Sequence, residues 1–227
     1  MRQEIKPAES WYEATVTREE YPALRASIDA DVCVVGGGFA GLVTALECQK
    51  RGLKTVLLEG GRVACGASGR NGGFVSSGFA LGVEGVIAKV GKQAAQALYQ
   101  LSRDGTEYVR AVITEHDPSL IHGSGMRVAL RHRDTGGLKS YAEMMRADFG
   151  ETLRYSTAEE TRLHLVSPRY FESVVSENAF HIHPLAYGLL LARLATEAGV
   201  AIHENSRATS CRKDGAAFVV TTGGGQV

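Results

Sequence analysis

No stretch of this chain reaches the roughly 18 consecutive apolar residues that would suggest a membrane helix. The first 30 residues carry Glu4, Glu9, Glu13, Glu19, Glu20 and Asp29 and hold no apolar segment of the kind a secretory leader needs. Neither a membrane span nor a signal peptide is therefore expected, and a cytoplasmic location is the default. Excess charge is missing too. The 25 basic residues cancel the 25 acidic ones, which leaves no electrostatic case for nucleic acid or an anionic membrane surface as a partner. Cysteine is scarce and unpatterned: Cys33, Cys48, Cys65 and Cys211 show no C-x-x-C spacing. Buried free thiols are the expected state of Cys33 and Cys48, and no metal site is expected. With 44% hydrophobic and 22% charged residues, 227 residues can bury one sizeable core or divide between two lobes.

Glycine is abundant, and its placement carries the reading. With 27 glycines a lone G-x-G-x-x-G would mean little. Here ADVCVVGGGFAG, residues 30 to 41, is an apolar strand running into glycines and then a helix, and KTVLLE, residues 54 to 59, is a second apolar strand ending in an acid. Order, spacing and flanks fit a dinucleotide-binding βαβ unit. Gly36 allows the tight turn off the strand Val32 to Val35, Gly38 lets backbone approach a pyrophosphate, and Gly41 lets helix and strand pack closely. The helix from about Ala40 to Arg51 points its N-terminal N–H groups and positive dipole end at the phosphates. Leu42, Ala45 and Leu46 should face the sheet, and Gly52 sits where a C-terminal cap is wanted. Glu59, about 20 residues past the glycines, is placed to accept ribose hydroxyl hydrogen bonds, which disfavours a 2′-phosphate. The unit does not itself choose between FAD and NAD.

The segment CGASGRNGGF, residues 65 to 74, follows the Glu59 strand. Its four glycines, with Ser68, Arg70 and Asn71, make a loop dense in backbone N–H groups that can wrap an anion, Arg70 adding a planar five-donor group. A surface loop is the competing reading by composition alone.

GGGFAGL, LLEGGRVACGASGRNGG and HIHPLAYGLLLARLATEAGV together resemble the FAD-dependent amine oxidoreductases of the D-amino-acid oxidase type, with wording nearest the γ-glutamylputrescine oxidases. The resemblance runs from about Tyr21 to the C-terminus. It implies an α/β fold: a Rossmann-like, GR2-type FAD domain with an inserted α+β substrate domain. FAD is the implied cofactor, an amine or amino acid the substrate, and oxygen or another electron acceptor the oxidant. The implied reaction is oxidation of a C–N bond by hydride transfer to the flavin, hydrolysis of the imine and, with oxygen, release of hydrogen peroxide. Carried over by position, Gly36, Gly38, Phe39, Ala40 and Gly41 line the pyrophosphate and Glu59 holds the adenosine ribose. Ala67, Ser68, Arg70, Asn71, Gly72 and Gly73 run past the pyrophosphate and ribityl chain toward the ring, and Ala208 meets the adenine through its main chain. No catalytic residue is carried over, since the flavin supplies the reactive chemistry.

Family members are about twice this length. The expectation is a C-terminally truncated chain: an N-terminal portion of a larger oxidoreductase, a truncated product, or an incomplete gene model. The expected organisation is an N-terminal extension over 1–27, a first part of the FAD domain over 28–80, a helical approach and partial substrate domain over 81–183, and a second, incomplete part of the FAD domain over 184–227. Alternatives to an oxidase are a dehydrogenase using another electron acceptor and a non-catalytic dinucleotide-binding module.

Local patterns fill in the rest. Trp11, Tyr12 and Tyr21 are expected to pin the extension to the body or to serve as an interface. Ala94, Ala97, Leu98, Leu101, Tyr108, Val109, Val112 and Ile113 recur at helical spacing, predicting one long or two abutting helices over 93–116. A strand is predicted over 125–131, a helix over 135–149, and a capping box at Thr157 and Glu160 opening a short helix. His181 and His183 alternate about Ile182, so a strand there would turn both imidazoles to one side; the expected role is that of ordinary hydrogen-bonded histidines before a helix start, with orientation of a substrate or a metal as alternatives. Pro184 and Gly199 should bound a helix, followed by a strand over 200–202. RATSCRK and FVVTT predict a hairpin turning at Asp214 and Gly215. Arg127, Arg131 and Arg133 read as the solvated ends of a strand, with a substrate carboxylate as the alternative.

Overall fold

In the computed structural model the described residues are 10–123, 125–130 and 137–227, without the side chains of Met126, Arg127, Ala129 and Leu130. The chain divides into two compact units, residues 1–72 with 183–227, and residues 73–182. The sequence predicts these boundaries at 80/81 and 183/184.

The first unit is built on a parallel sheet in the order β1 (Val32–Val35), β2 (Thr55–Leu58), β9 (Ala201–His203). Helix α2 (Phe39–Lys50) connects β1 to β2 and turns Leu42, Ala45 and Leu46 inward, the three positions that the periodicity selected. Gly52, at φ +83°, takes the left-handed conformation just past its end. All of β2 is buried, as expected of a central parallel strand. Helix α7 (Pro184–Glu197) packs on α2 and buries Leu185, Tyr187, Leu190, Leu191 and Leu194. Gly188 lets α7 also lie against the loop after β2, because a Cβ there would lie 2.5 Å from the Ala64 methyl. The hairpin β10 (Ser210–Asp214) and β11 (Ala217–Thr221) turns at Gly215, φ +62°. Leu24, Val56, Leu58 and Val220 form one core cluster, against which Ala208 packs.

The N-terminal segment belongs to this unit. Its short helix α1 (Trp11–Ala14) is capped by Ser10, whose Oγ accepts from the Glu13 N–H. Trp11 and Tyr12 lie 5.5 and 4.9 Å from the His183 ring, centroid to centroid. Tyr21 hydrogen-bonds Thr196 of α7, and burial pushes its phenol above the usual tyrosine range. His183 is not a strand residue facing the same way as His181. It is the N-cap of α7, its Nδ1 accepting from the Ala186 N–H at 3.0 Å.

The second unit holds two antiparallel sheets. One orders β3 (Phe74–Val75), β8 (Phe180–Ile182) and β4 (Ile121–His122); the other orders β5 (Met126–Leu130), β7 (Glu172–Ser176) and β6 (Leu153–Ser156). Helices α3 (Gly82–Val90), α4 (Lys92–His116), α5 (Gly137–Phe149) and α6 (Ala158–Arg162) accompany them. The capping box at Thr157 and Glu160 is formed, and it lowers the Glu160 carboxyl below its usual range through hydrogen bonds from Thr157. The core is Val83, Ala95, Tyr99, Met145 and Phe149.

Helix α4 is a single helix; Ile113 of the predicted stripe is buried and Tyr108, Val109 and Val112 are half-buried, whereas toward the N-terminus the buried positions lie one residue past the predicted Ala94 and Leu98. Ala95, Tyr99, Thr106 and Ile113 are buried, while Leu101 is 66% exposed. Hydroxyls account for the difference. Ser102 Oγ accepts from the Gly78 N–H at 2.8 Å, and Thr106 Oγ1 meets Ser77 Oγ at 3.3 Å, so polar side chains occupy inward positions that a hydropathy pattern leaves to solvent. Arg131 and Arg133 lie outside the described residues, as does the side chain of Arg127.

Candidate functional site

Strand β1 runs into Gly36, whose φ of +106° an L side chain rarely adopts, and whose N–H donates to the Leu58 carbonyl at 2.8 Å. The N–H of Gly37 donates to Glu59 Oε2 at 2.7 Å, and its carbonyl accepts from the Ala64 N–H at 2.8 Å. Gly38 is the N-cap of α2 and brings no side chain to that end. A Cβ at Gly41 would overlap the Gly36 carbonyl oxygen, so only glycine allows the helix to start this close to the strand. A glycine turn thus delivers the positive end of a helix, free of a cap from its own N-cap residue, to the end of a parallel strand. That arrangement attracts anions.

Two neighbouring segments complete the cradle. Glu59 extends from the end of β2, and its Oε1 accepts from the Gly61 N–H at 2.7 Å while Oε2 holds Gly37. Each carboxylate oxygen retains a second lone pair, so a ribose hydroxyl can still donate to it. In the second loop, residues 67–69 form a 3-10 turn, and Ser68 Oγ accepts from the Phe39 N–H at 3.1 Å. A Cβ on Gly38 would come within 2.9 Å of that hydroxyl. Asn71 folds back, its amide donating to the carbonyls of Ala67 and Ser68 at 3.0 and 2.8 Å. Arg70 is exposed, with its Nε 3.3 Å from the Gly66 carbonyl.

The structure therefore brings Gly36, Gly38, Phe39, Gly41, Glu59 and Ser68 together at the turn, Glu59 through the Gly37 N–H and Ser68 through the Phe39 N–H, with Ala40 in the first turn of α2. Ala67, Arg70 and Asn71 stand on the adjoining turn, and Gly72 and Gly73 follow in chain. Ala208 lines a cleft of about 710 Å³ with Val32, Cys33 and Val35 of β1 and Phe218 of β11.

Sequence reasoning missed Glu204 and Arg18. Glu204 is 3% exposed, and its Oε1 accepts from the Val63 N–H at 2.7 Å. Its signal was available: like Glu59, it is an acid just past an apolar strand. Arg18 had no sequence signal. Its Nε and Nη2 grip both oxygens of Glu13 at 2.6 and 2.7 Å, and its Nη1 donates to the Val63 carbonyl at 2.9 Å. Arg18 holds the Glu13 carboxyl below the usual range, with a smaller pull from Arg62.

Over residues 31–227 the chain matches the DAO model, described as FAD dependent oxidoreductase. It belongs to that family. "Probable oxidoreductase OrdL" of Rhizobium meliloti is 31% identical over 227 positions, covering 98% of this chain and 53% of the relative. The γ-glutamylputrescine oxidoreductase of Escherichia coli is 30% identical over 220, covering 96% and 51%. Among solved structures, L-amino acid deaminase from Proteus myxofaciens superposes with a TM-score of 0.74 at 21% identity, over 93% of this chain and 46% of the other. Glycine oxidase from Geobacillus kaustophilus gives 0.66 at 19%, over 89% and 53%. These two likenesses establish the fold. The chain spans about half the length of the DAO-family relatives it matches.

The glycine turn and the donor set fit the FAD of this family: a backbone cradle that side chains would fill, a helix N-terminus for phosphate, and a carboxylate for ribose. Among the described residues, no group of three or more His, Cys, Asp or Glu is arranged to hold a metal ion, and no helix is long and apolar enough to cross a membrane.

Proposed function

We propose that the unit of residues 1–72 and 183–227 binds the adenosine and pyrophosphate part of FAD, and that the protein oxidises the C–N bond of an amine or amino acid. Gly36, Gly38, Phe39, Ala40 and Gly41 face the pyrophosphate, and Glu59 accepts from the ribose. Ala67, Ser68, Arg70, Asn71, Gly72 and Gly73 carry the dinucleotide toward the ring, and Ala208 meets the adenine through its backbone. The observation that carries this reading is the turn at Gly36–Gly41, where a Cβ at 41 overlaps backbone and one at 38 collides with Ser68.

When bound, FAD would supply the two-electron oxidant for the substrate's C–N bond, which the residues named above would hold in place. The imine left on the substrate is hydrolysed to a carbonyl compound and an amine or ammonia. Oxygen is the proposed acceptor, giving hydrogen peroxide, and a γ-glutamylputrescine-like compound is the proposed substrate. Family membership supports the cofactor, and the Escherichia coli relative's name motivates the substrate. Residues 73–182 are proposed as part of the substrate-binding domain, and the location as cytoplasmic.

The test is the visible absorption spectrum of the purified chain with and without added FAD, followed by heat release of the bound cofactor. A flavin spectrum that bleaches on anaerobic addition of an amine supports the full reading. A colourless protein that ignores FAD overturns the assignment of the cofactor site to this span.

A further inference from the structure

Five observations converge on the corner Val63–Ala64. Ala64 has a φ of +54°, one of two non-glycine residues with positive φ among those described, and this left-handed geometry is strained for a residue carrying a Cβ. Both polar groups of the Val63 residue are held by charged side chains: Glu204 takes its N–H at 2.7 Å, and Arg18 donates to its carbonyl at 2.9 Å. The next N–H, that of Ala64, donates to the carbonyl of Gly37, the middle glycine of the turn. Arg18 is itself locked, with its side chain 5% exposed and its fork closed on Glu13, which also receives Arg62 Nη1 at 3.3 Å. Ser10 and Glu13 line one small cavity with Ala64, Gly69 and Arg70, which places the N-terminal segment directly over the second loop.

A continuous path therefore runs from Arg18 through the Val63 carbonyl and the Ala64 N–H to Gly37. We propose that residues 10–18 form a strap, closed by the Glu13–Arg18 pair, whose Arg18 is a positioning residue that fixes the Val63–Ala64 corner and through it the glycine turn. The consequence for FAD rests on the cofactor reading above; the holding of the corner does not. The chemistry favours arginine over lysine. Two N–H groups are committed to one carboxylate and a third to a carbonyl in a different direction, which a planar fork satisfies and a single ammonium does not. Opening the pair would leave the strained φ of Ala64 with one of its three restraints gone, and the turn could relax away from its anion-binding shape.

The experiment follows amide hydrogen exchange in the full 227-residue chain without cofactor, and then FAD affinity by flavin fluorescence, for wild type, Arg18→Gln, Arg18→Lys and Glu13→Gln. In Arg18→Gln the Ala64 amide should exchange at least about tenfold faster, while amides of β2 keep their protection. FAD should bind about tenfold more weakly, with Arg18→Lys recovering only part of the loss. Glu13→Gln, which leaves Arg18 in place, should give the same pattern at smaller size and serves if Arg18→Gln does not fold. Unchanged exchange at Ala64 in both Arg18→Gln and Glu13→Gln overturns the strap. So does uniform loss of protection that includes β2, since that is general destabilisation. Faster exchange at Ala64 with unchanged FAD affinity, in a protein whose Gly38→Val variant has lost FAD, refutes the positioning role while leaving the cofactor reading intact. Identical FAD behaviour in wild type and Gly38→Val overturns the cofactor reading, and the exchange data then decide the strap alone.

Discussion

The glycine turn of the first unit and helix α4 of the second are built on opposite terms. At the turn, backbone geometry dominates: Gly36 takes a positive φ, Gly41 abuts a carbonyl, and the one carboxylate there, Glu59, closes on the backbone N–H of Gly37 at 2.7 Å. Along α4, side chains decide. Its inward face mixes Ala95, Tyr99 and Ile113 with the hydroxyls of Ser102 and Thr106, and the nearby buried Glu151 has its Oε2 3.9 Å from Arg103 with no hydrogen bond. Burial pushes the Tyr99 phenol far above its usual range, with the Glu151 charge adding to the effect. Backbone constraints tolerate almost no substitution, whereas a packed face with mixed chemistry has room to adjust.

Substitutions should separate these two behaviours in order of severity. Gly41→Val should be the most damaging, because its Cβ meets a backbone oxygen that cannot move without breaking the β1 turn. A loss of roughly 3 kcal/mol or more is expected, the upper end for overpacking, measured by chemical denaturation. A near-wild-type midpoint would remove the backbone argument. Gly38→Val should spare the fold but abolish FAD retention, since the group displaced is the Ser68 side chain; equal affinity in the variant would sink the site. Glu59→Ala should weaken FAD by about tenfold, one charge-assisted hydrogen bond, while also freeing Gly37 and Gly61. Thr106→Val on α4 should cost only about 1 kcal/mol, the worth of a typical hydrogen bond, read as a small shift in denaturation midpoint.

The smallest expected effect is one of pH. The folded-state carboxyl of Glu13 is depressed by Arg18 and then Arg62, so its contribution to holding the N-terminal segment is fully present above the ordinary value of 4.5. It should be lost as the pH falls below that value and through the depressed folded one. Emission of Trp11, the single tryptophan, reports the docking of that segment against His183. An acid transition below 4.5 is expected in wild type and not in Glu13→Gln; the same transition in both would assign it elsewhere.

The strand–glycine–helix unit was legible because each of its requirements is local. A positive φ, a missing Cβ and an acid at the end of a strand are all set within 30 residues, and β1, α2 and β2 fall within a residue or two of the predicted spans. The hairpin turn at Gly215 and the capping box at Thr157 were readable for the same reason. The inward face of the N-terminal part of α4 was not, because hydropathy cannot anticipate that Ser102 and Thr106 find partners at Gly78 and Ser77 and so turn inward. His183 was readable as a hydrogen-bonded residue before the helix that starts at Pro184, but its partner, the Ala186 N–H, appears only once that helix forms.

By itself, then, the sequence determined the strand–glycine–helix–strand unit, since glycines and apolar runs constrain the backbone wherever they stand, and its motifs resembled the family. Only the tertiary structure decided which polar groups serve that unit from afar. Arg18 lies 45 positions before the Val63 carbonyl it holds, and Glu204 lies 141 positions after the N–H it accepts from. Such pairings depend on where the folded chain brings distant segments together, and no local pattern of residue types encodes that.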